Sequence, residues 1–514
     1  MKDQLDLLPG FLAAHLGLSL AALALGMAIS VPIGIVVTRY RRLEVPVVGG
    51  AGVLQTIPSL ALLAFMVPVL AALGVPSIGY LPALVGLSLY SLLPILRNTV
   101  VGLSGIDPAV IEAARGVGMT PRESLLRVEL PLALPVIVAG IRTSAVWTVG
   151  TATLSTPVGA PSLGNYIFGG LQTRHYGVVL LGCVASAALA LTMDGLVHLL
   201  MRGITERQRR LTWLSLLGFV ILAVYAAFPL VKSVVGRTNR PIVIGAKTFT
   251  ESYILAQILA EQVRRQTALP VRVLESMGST IVFDALANGQ IDAYVDYSGT
   301  LWTTVLKHGD PRPDREALLG ELTRELKERY GISVIGRFGF ENTYALALRR
   351  EDARRLAVRR IGDLGPHVGN LRMGGDYELF QRSEWRAILS TYRLSFAEQR
   401  VMDPSLMYEA IRTQQVDVIA AYSTDGRIAA YDLVALEDDR AALPPYDAVL
   451  LVGERLLRER PQVIDALRQL SGRIDVATMQ QLNRGVDEEK KTPAQVAKQF
   501  LDEGNERRPS PTAK

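Results

Sequence analysis

The sequence predicts two unlike parts in one chain: an all-α transmembrane domain of six helices, then an α/β domain. Three observations carry this. Apolar runs of about 20 residues, the length a helix needs to cross the hydrocarbon core, are concentrated in residues 1–231. Arginines cluster beside alternate runs. From residue 241 the chain becomes an ordinary charged sequence in which strand-like and helix-like segments alternate. With 514 residues, 49% hydrophobic composition and a mean hydropathy of +0.27, two or three units fit better than one.

The candidate spans are 12–38, 50–73, 80–97, 132–155, 177–201 and 212–231. No basic segment precedes the first and no clear cleavage site follows it, so it reads as a retained helix. Arg39, Arg41 and Arg42 follow the first span, and Arg115, Arg122 and Arg127 lie in a polar island after the third. Arg202, Arg207, Arg209 and Arg210 follow the fifth. The positive-inside rule puts all three groups in the cytoplasm. Counting spans then puts the N-terminus and residues 232–514 outside. Arg142 and Asp194 lie in or near apolar spans, where charges are costly. A functional role and plain structural neutralisation are both open for them.

The net charge of +6 and pI near 9.3 do not point to nucleic acid, because topology already accounts for arginines beside spans. Cys183 is the single cysteine, so no intrachain disulfide is available and the outer domain relies on its core. Lys232–Arg240 reads as a polar linker. A strand at 241–245 follows, and Thr248 with Glu251 has the spacing of a capping box. Next come a helix at 253–259, a strand at 271–274, a Gly-Ser-Thr turn at 278–280, a helix at 281–287 and a strand near 293–295. Alternation at these lengths predicts parallel sheets covered by helices. Residues 506–514 are polar and contain prolines, the composition of a disordered tail. The chain has no Gly-Lys dipeptide, hence no Walker-A loop. It has no His-Glu-x-x-His or Gly-x-Ser-x-Gly motif, and its five histidines are scattered. No enzyme chemistry and no cofactor in this chain are expected.

The polar island reads Glu112-Ala113-Ala114-Arg115-Gly116-Val117-Gly118, then nine residues, then Val128-Glu129-Leu130-Pro131. It resembles the coupling loop of bacterial ABC-importer membrane subunits, which usually carry Ile where Val128 stands. A short helix near 109–117, broken at Gly118, would seat in a groove of a cytoplasmic ATPase. The resemblance implies a type I importer permease in the bacterial inner membrane, with Glu112, Ala113, Ala114 and Gly118 as coupling residues. ATP would be used by separate ATPase subunits. One loop and six spans per chain make a two-fold homodimer the economical assembly. The segments 140–143 and 159–164 also resemble that family.

Four stretches of the soluble half, 245–255, 292–300, 341–346 and 421–426, resemble the binding proteins of osmoprotectant importers for glycine betaine, choline and carnitine. Related ergothioneine uptake systems share them. The resemblance implies a type II periplasmic-binding-protein fold over 241–505, with lobe one at 241–343 and 448–505 and lobe two at 344–447. The family usually has Glu and Thr where this chain has Asp296 and Ser298. A quaternary ammonium group has no N–H to donate, so aromatic faces select it through their quadrupole. The resembling motifs place such a cage at Tyr297, Tyr344 and Tyr422, and spacing adds Tyr446. For each the alternative is a core tyrosine with a bonded hydroxyl. By the same resemblance Lys247 and Thr300 hold a ligand carboxylate. Arg382 is either a second clamp or a solvated surface arginine. Asn342 can orient the ligand, and Asp296 either meets it or forms a salt bridge. The expected function is ATP-driven uptake of quaternary-ammonium compatible solutes. The alternatives are ergothioneine uptake by the same mechanism, or a membrane-anchored receptor, which the coupling loop opposes.

Overall fold

The computed structural model describes residues 2–173, 175–235, 240–308 and 314–506, which fall into a helical unit and an α/β unit. Linker positions 236–239 and tail positions 507–514 lie outside the described residues.

The helical unit runs α1 (Lys2–Arg39), α2 (Glu44–Thr56), α3 (Ser59–Ala72), α4 (Tyr80–Ser104), α5 (Pro108–Gly116), α6 (Pro121–Ser124), α7 (Leu130–Ala152), α8 (Gly164–Gln172), α9 (Tyr176–Thr205) and α10 (Arg209–Val235). Among the described residues, α1, α4, the α6–α7 run, α9 and α10 are each long and apolar enough to span a membrane. The expected span at 50–73 is a broken one: α2 and α3 meet that test only as a pair bent by 101°. The cause is Pro58, which lacks an N–H and drives Ile57 out of the helical region, to φ −70° and ψ 128°.

Two ion pairs organise this unit. Arg39, the last residue of α1, donates to Glu129 at 2.6 Å, and Ser124 Oγ donates to the other oxygen at 3.0 Å. The end of α1 and the return limb of the polar island therefore share one end of the unit. That agrees with the arginine clusters at 39–42 and 115–127 lying on one side. Arg142 and Asp194 form a two-pronged pair at 2.6 and 2.7 Å between α7 and α9. Each neutralises the other, which accounts for both charges structurally.

Among the described residues, the α/β unit contains two five-stranded sheets. The first has β1 (Ile242–Lys247), β2 (Val271–Met277), β3 (Ala293–Tyr297), β4 (Ile332–Glu341) and β10 (Asp447–Gly453), in the order β2-β1-β3-β10-β4. The second has β5 (Tyr344–Arg349), β6 (Arg372–Gly375), β7 (Glu398–Val401), β8 (Val418–Tyr422) and β9 (Leu433–Ala435), in the order β7-β6-β8-β5-β9. The chain thus leaves the first sheet at Asn342-Thr343 and returns to it after Tyr446.

The sheets are mixed rather than parallel as the alternation predicts. β10 runs antiparallel to β3 and β4, and β5 antiparallel to β8 and β9. Both odd strands enter their sheet straight from the other lobe, without the helical crossover that a parallel neighbour needs. The capping box is also absent. The helix after β1, α11 (Thr250–Thr267), starts behind Phe249 with no side-chain cap. Glu251 turns inward instead, because four buried donors await it there.

Candidate functional site

Each expected ligand residue sits at an edge facing the gap between the two sheets. Lys247, Tyr297 and Tyr422 are the last residues of β1, β3 and β8, and Tyr344 is the first of β5. Thr300 closes the helical turn after β3, and Asn342 lies in the crossing between sheets. Arg382 precedes the helix Ser383–Tyr392, and Tyr446 directly precedes β10. All eight line one cavity of about 490 Å³. Small-molecule sites are commonly that large, and open α/β sheets bind ligands at the carboxyl ends of their strands.

The rings fall into two groups. Tyr344 lies 5.1 Å from Tyr422 between ring centres, and 6.2 Å from Tyr446 nearly edge-on. In the second group Phe249 stands 6.2 Å from Tyr297. Their hydroxyls are anchored away from the rings' faces. Tyr446 donates to Glu384 at 2.6 Å, Tyr422 to Asp376 at 3.3 Å, and Tyr297 to Glu251. Burial first, then the neighbouring carboxylate, pushes the Tyr297 and Tyr446 hydroxyls well above the usual phenol range, so both stay neutral. A bonded hydroxyl and a cavity-facing ring coexist in these residues. Tyr446 also rests directly on Gly299, where an added Cβ would fall 2.7 Å from its ring carbons.

The charges are distributed differently from the sequence expectation. Lys247 Nζ is 2.5 Å from Asp296, with neither side chain more than 4% exposed. Asp296 also accepts from the Tyr297 N–H and the Tyr294 hydroxyl, both at 2.7 Å. Asp296 is therefore the salt-bridge partner, and Lys247's charge is already balanced. Arg382 is not a solvated surface residue: it is largely buried, lines the cavity, and lies 5.7 Å from the Tyr344 ring centre. Its Nη1 is 3.4 Å from Glu384, which also receives Thr303. Burial pushes the Glu384 carboxyl up, but Tyr446, the Arg382 charge and Thr303 outweigh it, holding the group below its ordinary value.

Sequence reasoning missed Phe249, Asp376, Glu384 and Glu251. Phe249 sits inside one of the recognised stretches. Asp376 is visible only as a helix-capping residue, its Oδ1 accepting from the Leu379 N–H at 2.6 Å. Glu251 also lies in a recognised stretch, but its local spacing points to a helix cap, and nothing local marks Glu384.

In the polar island, Asp107 caps α5 through the Ala109 N–H at 2.9 Å, with Pro108 at the first helical position. The helix ends at Gly116, and Gly118 takes φ +85°, a left-handed turn that only glycine adopts freely. Of the two small residues expected to pack, Ala114 is buried while Ala113 and Glu112 are exposed. Exposed Val110 and Val117 flank them. A capping box of Thr120 and Glu123 then starts the return limb.

Residues 240–503 match the model of the substrate binding domain of the ABC-type glycine betaine transport system. Residues 30–206 match that of the binding-protein-dependent transport system inner membrane component. The ergothioneine transport permease/ergothioneine binding protein EgtU of Helicobacter pylori is 31% identical over 463 residues, 87% of this chain and 82% of that protein. The choline transport system permease protein OpuBB of Bacillus subtilis is 42% identical over 37% of this chain and 85% of its own length. The carnitine transport binding protein OpuCC of Listeria monocytogenes is 33% identical over 52% of this chain and 89% of its own length.

Proposed function

Since the chain belongs to the ABC importers that fuse a membrane permease to a glycine-betaine-type substrate-binding domain, we propose that its ligand is a trimethylammonium carboxylate. Glycine betaine, carnitine and ergothioneine share that chemistry, and choline lacks the carboxylate. The observation that carries this is the common cavity: Tyr297, Tyr344, Tyr422, Tyr446 and Phe249 share it with Arg382. Aromatic faces attract a methylated cation by about 0.5–2 kcal/mol each, and several together approach micromolar affinity. Arg382, with Thr300, holds the carboxylate, while Lys247 remains committed to Asp296.

The protein is a multi-pass inner-membrane component, and its family implies a partner ATPase. In our reading the N-terminus and the α/β unit lie outside, and two chains pair through their helical units. The exposed face of Glu112 and Ala113 seats on the ATPase. Ligand binding draws the two lobes together by contacting residues from both, the differential affinity that any ligand-driven closure requires. Fusion keeps the receptor at high effective concentration beside its permease. Calorimetry of the full chain in nanodiscs with glycine betaine, carnitine, ergothioneine and choline tests the ligand. Saturable binding of one of the first three, tighter than choline, is expected. Choline binding tighter than all three would reject the carboxylate subsite.

A further inference from the structure

The four stretches that mark the binding domain converge on one atom group, the Glu251 carboxylate. Glu251 comes from the first stretch and is 3% exposed. Its Oε1 accepts from the Tyr297 hydroxyl of the second stretch and from Asn342 Nδ2 of the third at 3.0 Å. Its Oε2 accepts from the Thr424 hydroxyl of the fourth at 2.5 Å. Asn483, on the helix Val476–Asp487, completes the set with Nδ2 at 3.0 Å.

The two oxygens face different tasks. Tyr297 and Asn342 line the ligand cavity, whereas Thr424 and Asn483 do not. Thr424 lies in the loop after β8, in the lobe opposite Glu251. That loop sits tightly on the helix Val476–Asp487: a Cβ on Gly426 would fall 3.1 Å from the Gln480 carbonyl oxygen and the Arg484 nitrogen. Asn483 Nδ2 also donates to the Thr424 carbonyl at 2.9 Å. The amides of Asn342 and Asn483 both turn their NH2 groups to Glu251, leaving their buried carbonyl oxygens without a hydrogen bond. A buried acceptor left unbonded costs free energy, so the carboxylate sets the Asn342 orientation and, together with the Thr424 carbonyl, that of Asn483.

We propose that Glu251 is a positioning residue which couples the cavity to lobe closure, one oxygen fixing Tyr297 and Asn342 and the other holding the opposite lobe through Thr424. The coupling of closure to ligand rests on the reading of the cavity as the ligand site. Removing a hydrogen bond on the Thr424 side then opens the lobes and weakens a ligand that Thr424 never touches.

The experiment uses the full chain in nanodiscs, with Cys183→Ser and spin labels at Lys327→Cys and Arg386→Cys, exposed positions in opposite lobes. Interlobe distances are measured without ligand and with glycine betaine or ergothioneine, for wild type, Thr424→Val and Glu251→Gln. Thr424→Val is expected to shift population from the short to the long distance without ligand, and to raise the dissociation constant about tenfold while the protein stays folded. Glu251→Gln is expected to do both more strongly. Unchanged ligand-free distances in folded Thr424→Val overturn the proposal. If wild type binds neither probe, the cavity reading fails, yet the ligand-free distances still decide whether Glu251 holds the lobes.

Discussion

Lys247 and Asp296 form a buried ion pair at 2.5 Å, so the lysine on the cavity wall already has its counter-charge. Breaking a buried pair by removing one partner strands the other charge, at about 3–5 kcal/mol. Lys247→Met is therefore expected to lower the melting temperature of the α/β unit sharply, with Asp296→Asn added in the same chain recovering most of the loss. Its effect on affinity, measured by calorimetry, should be the same factor for glycine betaine and choline.

Arg382 should behave in the opposite way. Its guanidinium lines the cavity beside the Tyr344 ring. Arg382→Gln is expected to weaken a trimethylammonium carboxylate about tenfold or more, the scale of one charge-assisted hydrogen bond. Choline affinity should stay level or improve. A parallel loss for both ligands would remove the carboxylate role.

Gly299→Ala tests whether Tyr446 must hold its place. The new methyl would meet the ring at 2.7 Å, and the ring's hydroxyl is fixed to Glu384. Displacement of the ring should raise the dissociation constant about tenfold, since overpacking of this kind typically costs about 1–3 kcal/mol. Circular dichroism should show the fold retained.

Asp487 gives a pH signature. Burial, only partly offset by Arg427, pushes its carboxyl up to about 6. The folded state then holds this proton more tightly than the unfolded chain. Its contribution to stability is complete below the unfolded value near 4 and is lost as pH rises through about 6. Asp487→Asn should match wild type near pH 4 and exceed it by up to about 3 kcal/mol above pH 7. Thermal melts of both proteins across that range check the sign.

Much of this was legible in the sequence because the signals are local. Apolar runs and arginines located the helices, and a run of small residues ending at Gly118 located the exposed loop. Tyr297, Tyr344 and Tyr422 were marked by their neighbours. What stayed hidden depends on distant partners. Glu251 sits three residues after Thr248, so local spacing pointed to a cap, while its true donors lie 46, 91, 173 and 232 residues away. The strand directions of β5 and β10 were hidden for the same reason, being set by arrival from the other lobe. Asp376 reaches the cavity, and Glu384 reaches Tyr446 and Arg382 behind it, only once the second sheet is assembled.

The central claim is that the rings select a positive charge, and an isosteric pair of ligands tests it most directly. Glycine betaine and 3,3-dimethylbutyrate differ by a nitrogen cation in place of a neutral carbon, with the same shape and the same carboxylate. Calorimetry of the full chain should find the cation bound at least about thirtyfold more tightly, the equivalent of two or more ring contacts. Equal affinities for the two would contradict the account.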